Sequence, residues 1–510
     1  NTGNLVLGNA AGDTLTFAGG LTATAPAAIS AAGTVNTSNT AMSLGDGNTA
    51  LTLTDHLTLN TTGGNASAGG SLTLGGAVNG TAGNTQSLTL NAGSTGAVSV
   101  TGAVGQTTAL NTLTLANSYG ATFAAPVTTG AEVVLSNTVA GQTIRFADNL
   151  TTPVLTTTAN GYHLELLGTA TTVSAANTAT TFLNTGNLVL GNAAGDTLTF
   201  AGGLTATAPS AINAAGTINT SNTAMSLGDS NTALTLADHL TLNTTGGNAS
   251  VGGSLTLGGA VNGTTANTQS LTLNAGSTGA VSVLGSVGQT TALNTLTLTH
   301  SNGATFSSPV STGTEVVLSN TVAGQTIRFA DNLSTPVLTT TANGYHLELL
   351  GTTTNITGTS ATTTFLNTGN LVLGNAAGDT LTFAGGLTAS APTAISAAGT
   401  LSTTNAAIVL GAAPVTLTGN TTVNAGTGAI TLGGTVDGAY SLALNSTGAT
   451  TLAAAVGDGA ALTSLTTNTG GTVVIQGARV NTTGAQRYAE PVTLSGNTTL
   501  TGTAIRFDDA

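Results

Sequence analysis

Two acid–imidazole couples recur in this sequence. Asp55–His56 returns as Asp238–His239, and His163 and Glu165, within "YHLEL", return as His346 and Glu348. A carboxylate beside an imidazole can hold a metal ion or move a proton. Successive side chains of an extended strand point to opposite faces. His163 and Glu165 therefore share a face, whereas Asp55 and His56 do not. We read these residues as polar pairs on a solvated strand face, not as catalytic or metal-binding groups.

The motif "IRFAD" places Arg145 near Asp148 and Arg328 near Asp331, and "AIRFDD" places Arg506 near Asp508 and Asp509. These are candidate structural ion pairs rather than a ligand clamp. An exposed pair of this kind contributes about 0–1 kcal/mol. Calcium-binding β-rolls need G-G-x-G-x-D in a nonapeptide ladder. Here "AGDT" (11–14) and "LGDGNT" (44–49) supply isolated aspartates with no such ladder. Polysaccharide-cleaving solenoids need clustered carboxylates with cationic support, and the chain carries neither. We expect no catalytic residue, no cofactor and no metal, and hence no enzyme.

Any remaining chemistry would be that of a surface. The triplets at Thr112–Thr114 and within "LTLT" (51–54) resemble the threonine arrays of ice-binding solenoids. Such an array must lie flat and in register from turn to turn. The strands that start at Ser71, Ser87, Thr112 and Glu132 are unevenly spaced. That unevenness argues against register and leaves carbohydrate or ice binding as an alternative function.

The elements that would position all these groups are repeats. "NTGNLVLGNAAGDTLTFAGGL" opens the chain and returns at Asn184 and, after the same interval, at Asn367. A fixed period signals a repeat architecture. We divide the chain into repeats 1–183 and 184–366 and a partial, diverged repeat 367–510. A looser period lies within each copy, on the order of 20 residues, within the range of solenoid repeats. "SLTLGGAVNG" from Ser71 and "SLTLNAGSTGAVSV" from Ser87 show it. Leucine alternates with Ser or Thr, the period-two pattern of a strand. Gly and Asn follow, supplying turns.

The fold class is all-β. Tandem β-sandwich domains are the alternative, but their cores lean on large inward side chains, and aromatics make up only 3% of the chain. A membrane barrel would show longer strands and aromatic girdles. A β-solenoid of about 20-residue rungs fits best, stacking about nine rungs per copy, or about 43 Å at about 4.8 Å per rung. Differences between copies fit an inward and an outward face. Val35→Ile218 and Ala68→Val251 read as core exchanges, Thr54→Ala237 and Ala116→Thr299 as surface exchanges. "ANSYG" becoming "THSNG", with Asn117 replaced by His300 and Tyr119 by Asn302, reads as a variable loop.

Composition excludes several partners. The cationic residues are five arginines against 18 acidic residues, for a net charge of −13. Phosphate backbones and anionic membranes both need a Lys/Arg stripe, so no nucleic acid and no membrane insertion is expected. Cysteine is absent, which excludes disulfides and thiolate metal sites. The chain opens inside a repeat unit, and we expect a segment of a longer polypeptide whose export signal and anchor lie elsewhere.

The last block, "GGTVDGAYSLALNSTGATTLAAAVGDGAALTSLTTNTGGTVVIQG" and "VNTTGAQRYAEPVTLSGNTTLTGTAIRFDD", resembles the repeats of filamentous-haemagglutinin-type exoproteins and related bacterial surface adhesins. The long copies before it resemble them more loosely. The resemblance implies a long, secreted, right-handed parallel β-helix, exported through an outer-membrane partner and used in adhesion or biofilm. Together with the repeats it sets our expectation: an extracellular fibre or stalk at a bacterial cell surface. Its expected partners are other copies of itself, end to end or side by side, and a cell-surface or glycan receptor.

Overall fold

The computed structural model describes residues 2–64, 67–247 and 250–509. Among these there are strands and turns and no helix. The strands stack in parallel as a β-solenoid of about 23 turns, in two compact units, Asn1–Gly259 and Ala260–Ala510. The boundary falls inside the second copy. Parallel pairing excludes the sandwich, whose neighbouring strands are antiparallel. The antiparallel bridges described are the isolated contacts Ser38–Thr62 and Ser221–Thr245.

The alternation in sequence becomes the wall of the solenoid. In Leu72–Leu74 both leucines are buried and Thr73 is half-exposed. Leu44, Leu74, Val100 and Phe123 stack inward on successive turns. Buried aliphatic surface is worth about 25 cal/mol per Å², so each turn is held mainly by the turns above and below it. Glycine makes the corners where backbones crowd. Gly33, with φ +80°, turns the strand Ile29–Thr37 between two faces, and a Cβ there would stand 2.3 Å from the Asp13 carbonyl oxygen.

Each turn has three faces. In the first turn they are the strands Leu5–Leu7, Thr14–Phe17 and Leu21–Ala23. Seven successive pairings carry the third-face column from Leu21 through Leu72 and Ile144 to Leu188. Leu188 is the equivalent of Leu5, which lies two faces before Leu21. One copy therefore advances seven and two-thirds turns, not nine, or about 37 Å at about 4.8 Å per turn. Within the first unit, the second copy begins one face away from where the first began.

Turn length is also less regular than expected. Leu113 pairs with Val133, whereas Leu57 pairs with Leu88, across a distinctly longer stretch of chain. Loops absorb the difference. Two of the exchanges between copies need correction. Val35 and Ile218 are both fully buried as expected, but Val251 is 45% exposed, so Ala68→Val251 lies at the surface. Asn117 lies in no loop: it belongs to the strand Leu110–Ser118 and to a column Asn36–Asn60–Asn91–Asn117–Asn137. There the Asn60 amide donates to Asn36 Oδ1 (3.1 Å), while its own Oδ1 accepts the Thr62 N–H (3.1 Å) at the corner.

Candidate functional site

The column of outward side chains on the third face brings Arg145 directly over Glu165. Arg145 lies in Thr143–Phe146 and Glu165 in His163–Leu166, paired one turn apart. Arg145 Nε donates to Glu165 Oε2 at 2.6 Å, and Arg328 repeats this with Glu348 at 2.6 Å. The partner is thus the glutamate of the next turn rather than Asp148 or Asp331. Those aspartates instead accept the N–H groups of Asn149 and Asn332, each at 2.7 Å. With the arginine side chains about half exposed, solvent screening keeps each pair to about 0–1 kcal/mol.

Arg506 does pair with Asp508, which also receives Arg487 Nε at 2.7 Å. Burial works against ionisation of Asp508, but the two guanidiniums hold its pKa below the ordinary value. Arg479 pairs with Asp458 at 2.7 Å. All five arginines are therefore engaged by carboxylates, which weakens any case for an anion clamp.

The acid–imidazole couples are split by the fold. Glu165 faces Arg145, while His163 Nδ1 accepts the Asn187 N–H of the next turn at 2.7 Å. His346 does the same with Asn370 (2.8 Å), and His56 with Ser87 (3.1 Å). These imidazoles are turn-to-turn acceptors, so that nitrogen offers no free lone pair to a metal. Asp55 accepts the His56 N–H (2.8 Å) and, from a distant turn, the Ala11 N–H (3.0 Å). The same two bonds, that of His56 first, lower its pKa. Asp46 likewise accepts the Asn48 N–H and the Thr49 hydroxyl, and its pKa is lowered by them in that order. The isolated aspartates are staples of tight turns. Among the described residues no three His, Cys, Asp or Glu side chains gather as a metal site would require.

Two surface hollows, one lined by Leu5, Phe17 and Leu21 and the other by Pro336, Ser360 and Leu366, have no acid, base or imidazole in their lining. What sequence spacing did hide is a threonine column. Thr14, Thr34, Thr58, Thr89 and Thr114 stand in register on the second face, because the uneven spacing is taken up by loops. The column stops at Val134. Its counterpart in the second copy begins at Thr197, which pairs with Ala170 on the first face. Two successive arrays in the first unit therefore point in different directions. The signal for the column lies in the recurring T-L-N tripeptides at Thr58 and Thr89, which align with each other although their spacing is irregular.

No family model, curated protein or solved structure matches the chain.

Proposed function

We propose that this chain is a structural section of a large secreted bacterial surface protein, forming an extracellular fibre or stalk for adhesion or for a biofilm matrix. The observation that supports this reading is the join between copies. Leu164 pairs with Leu188 across the first join and Leu347 with Leu371 across the second, in the same register. Thr171 with Leu198 and Thr354 with Leu381 follow suit. A copy that ends in the pairing its successor needs adds length without disturbing what precedes it. Duplication is then a route to a longer fibre, and the resemblance of the last block to haemagglutinin-type exoproteins points the same way.

Electron microscopy of the native material tests the reading. A continuous filament with an axial repeat near about 4.8 Å and surface labelling of intact cells supports it. Short particles confined to the cell interior would exclude it.

The threonine column favours a second reading, a surface that binds ice or an uncharged polysaccharide. Replacing Thr58, Thr89 and Thr114 by lysine should abolish ice recrystallisation inhibition or retention on insoluble glycan. No activity in the unaltered protein removes this reading.

A further inference from the structure

The corner after the strand Ala485–Tyr488 repeats, with different chemistry, the corner that joins one copy to the next. At the first join the Leu183 N–H donates to Thr157 Oγ1 (2.8 Å), and the next residue, Asn184, is fully buried. Its Nδ2 donates to the carbonyls of Tyr162 (3.4 Å) and Asn187 (3.5 Å). Leu366, Thr340 and Asn367 repeat the arrangement at the second join. In the final block the Ala489 N–H donates to Thr467 Oγ1 (3.2 Å), and the next residue, also fully buried, is Glu490.

The equivalence extends to the turn beneath. Tyr162 stands just before Leu164, which pairs with Leu188; Gly471 stands in the same place before Val473, which pairs with Val492. The final block thus has a glycine where a copy has a buried tyrosine ring, and the Glu490 carboxyl occupies the freed space. A Cβ on Gly471 would lie 2.5 Å from Glu490 Oε2, and 2.3 Å and 2.8 Å from the carbonyl oxygens of Gly448 and Ser446. Neither carboxyl oxygen of Glu490 has a hydrogen-bond partner.

We propose that Glu490 is a proton-dependent corner lock. In its protonated form it is a neutral group filling the space beside Gly471, and it holds the last turns closed. In its ionised form it is a buried charge with no cation beside it, which is costly, and the corner loosens.

The surrounding groups agree with this assignment. Residues 464–476, the turn beneath, include no titratable side chain. Tyr488, on the strand before the corner, gives its hydroxyl to Gln486 Oε1 (3.0 Å), and Arg487 points outward to Asp508. Arg506 pairs outward with the same aspartate, and Asp509 is exposed. Burial pushes the Glu490 carboxyl above its ordinary pKa, outweighing the opposite pull of the nearby Gly471 N–H and Thr467 hydroxyl. A carboxyl whose folded pKa is raised stabilises fully below its unfolded pKa, and that stabilisation is lost as pH rises toward the folded value. The lock is therefore closed in acid and open above the carboxyl range.

Amide hydrogen exchange over residues 485–494, in the full chain and in Glu490→Gln, tests the lock at two pH values. At about pH 4, near the unfolded glutamate pKa of about 4.3, the two proteins should exchange nearly alike. At about pH 8 the glutamine variant should be the more protected of the two, by about tenfold, the order of effect of a buried polar group left unsatisfied. Equal protection at both pH values, or an equal difference at both, overturns the proposal. Should the variant fail to fold, infrared spectra of the unaltered protein decide: a protonated carboxyl band that persists above the unfolded glutamate pKa of about 4.3 and is lost as pH rises further supports the lock, and a band already lost at that value refutes it.

Discussion

The long copies and the final block build the same turns from different interiors. In a copy the inward column is apolar: Leu59, Leu90, Leu115 and Leu135 stack on one another, all buried. In a copy that column then takes one buried threonine, Thr157 after Leu135, as Thr467 follows Leu444 in the final block. There the neighbouring column turns polar as well: Leu465 gives way to Gln486, with Tyr488 beside it. Gln486 is fully buried and fully employed, donating to the carbonyls of Val480 (3.0 Å) and Thr501 (2.8 Å) while accepting from Tyr488. The contrast separates two ways of filling a narrow interior. Leucine on leucine needs only matched volume, so duplication copies it without risk. A buried polar network stands only if every member is satisfied, and an ionised Glu490, with neither carboxyl oxygen hydrogen-bonded, does not meet that condition.

This contrast can be broken most severely in the copies. Leu90→Ala should cost about 2–5 kcal/mol of local opening free energy, read as lost amide protection in the turns on either side. Because each turn touches only its neighbours, protection several turns away should stay unchanged. A loss spread over the whole chain would mean that the turns do not act independently.

The next largest effect imports the final block's chemistry into a copy. Asn184→Asp places a carboxyl at the first join, in a corner where the tyrosine ring is already present. It should weaken exchange protection around residues 157–188 by about 1–3 kcal/mol at neutral pH, with recovery in acid. Equal loss at all pH values would show that the asparagine acts by shape alone.

Gln486→Leu runs the comparison in reverse. It swaps the polar interior for that of a copy but strands the Tyr488 hydroxyl and two carbonyls. A loss of about 1–3 kcal/mol in the last turns is expected, and Gln486→Leu combined with Tyr488→Phe should recover part of it. Failure of the double variant to recover would place the cost in packing instead of in hydrogen bonding.

The smallest effect concerns the ion pairs. Arg145→Ala and Arg328→Ala should each cost no more than about 1 kcal/mol and should cost the same, since both pairs have the same 2.6 Å geometry. Added salt should shrink even that difference.

Much of the wall is legible without the fold. The alternation in "SLTL" puts Leu72 and Leu74 inside, and both are buried. The exchange of Val35 for Ile218 reads correctly as interior because both are aliphatic and close in volume. Ala68→Val251 and Asn117→His300 read wrongly, and for one reason. Residue type reports what a position tolerates, and an exposed valine or a strand-end asparagine is tolerated as well as its opposite. In the second unit His300 takes its place in line between Asn274 and Asn320, a constraint that no single copy displays.

Residue types and their periods alone establish that the chain is built of short strands with an aliphatic face, that one long unit recurs at a fixed interval, and that cationic surface is lacking. These are local or additive properties, carried by residue type and period. Which turn lies on which emerges from the stacking itself. Stacking brings Arg145 to Glu165 and aligns Thr34, Thr58 and Thr89 across turns of unequal length. It also sets the start of the second copy a third of a turn from that of the first. Register is fixed by side chains meeting inside the wall, while loops of any length pass outside it. Distance along the chain therefore carries little information about which residues meet.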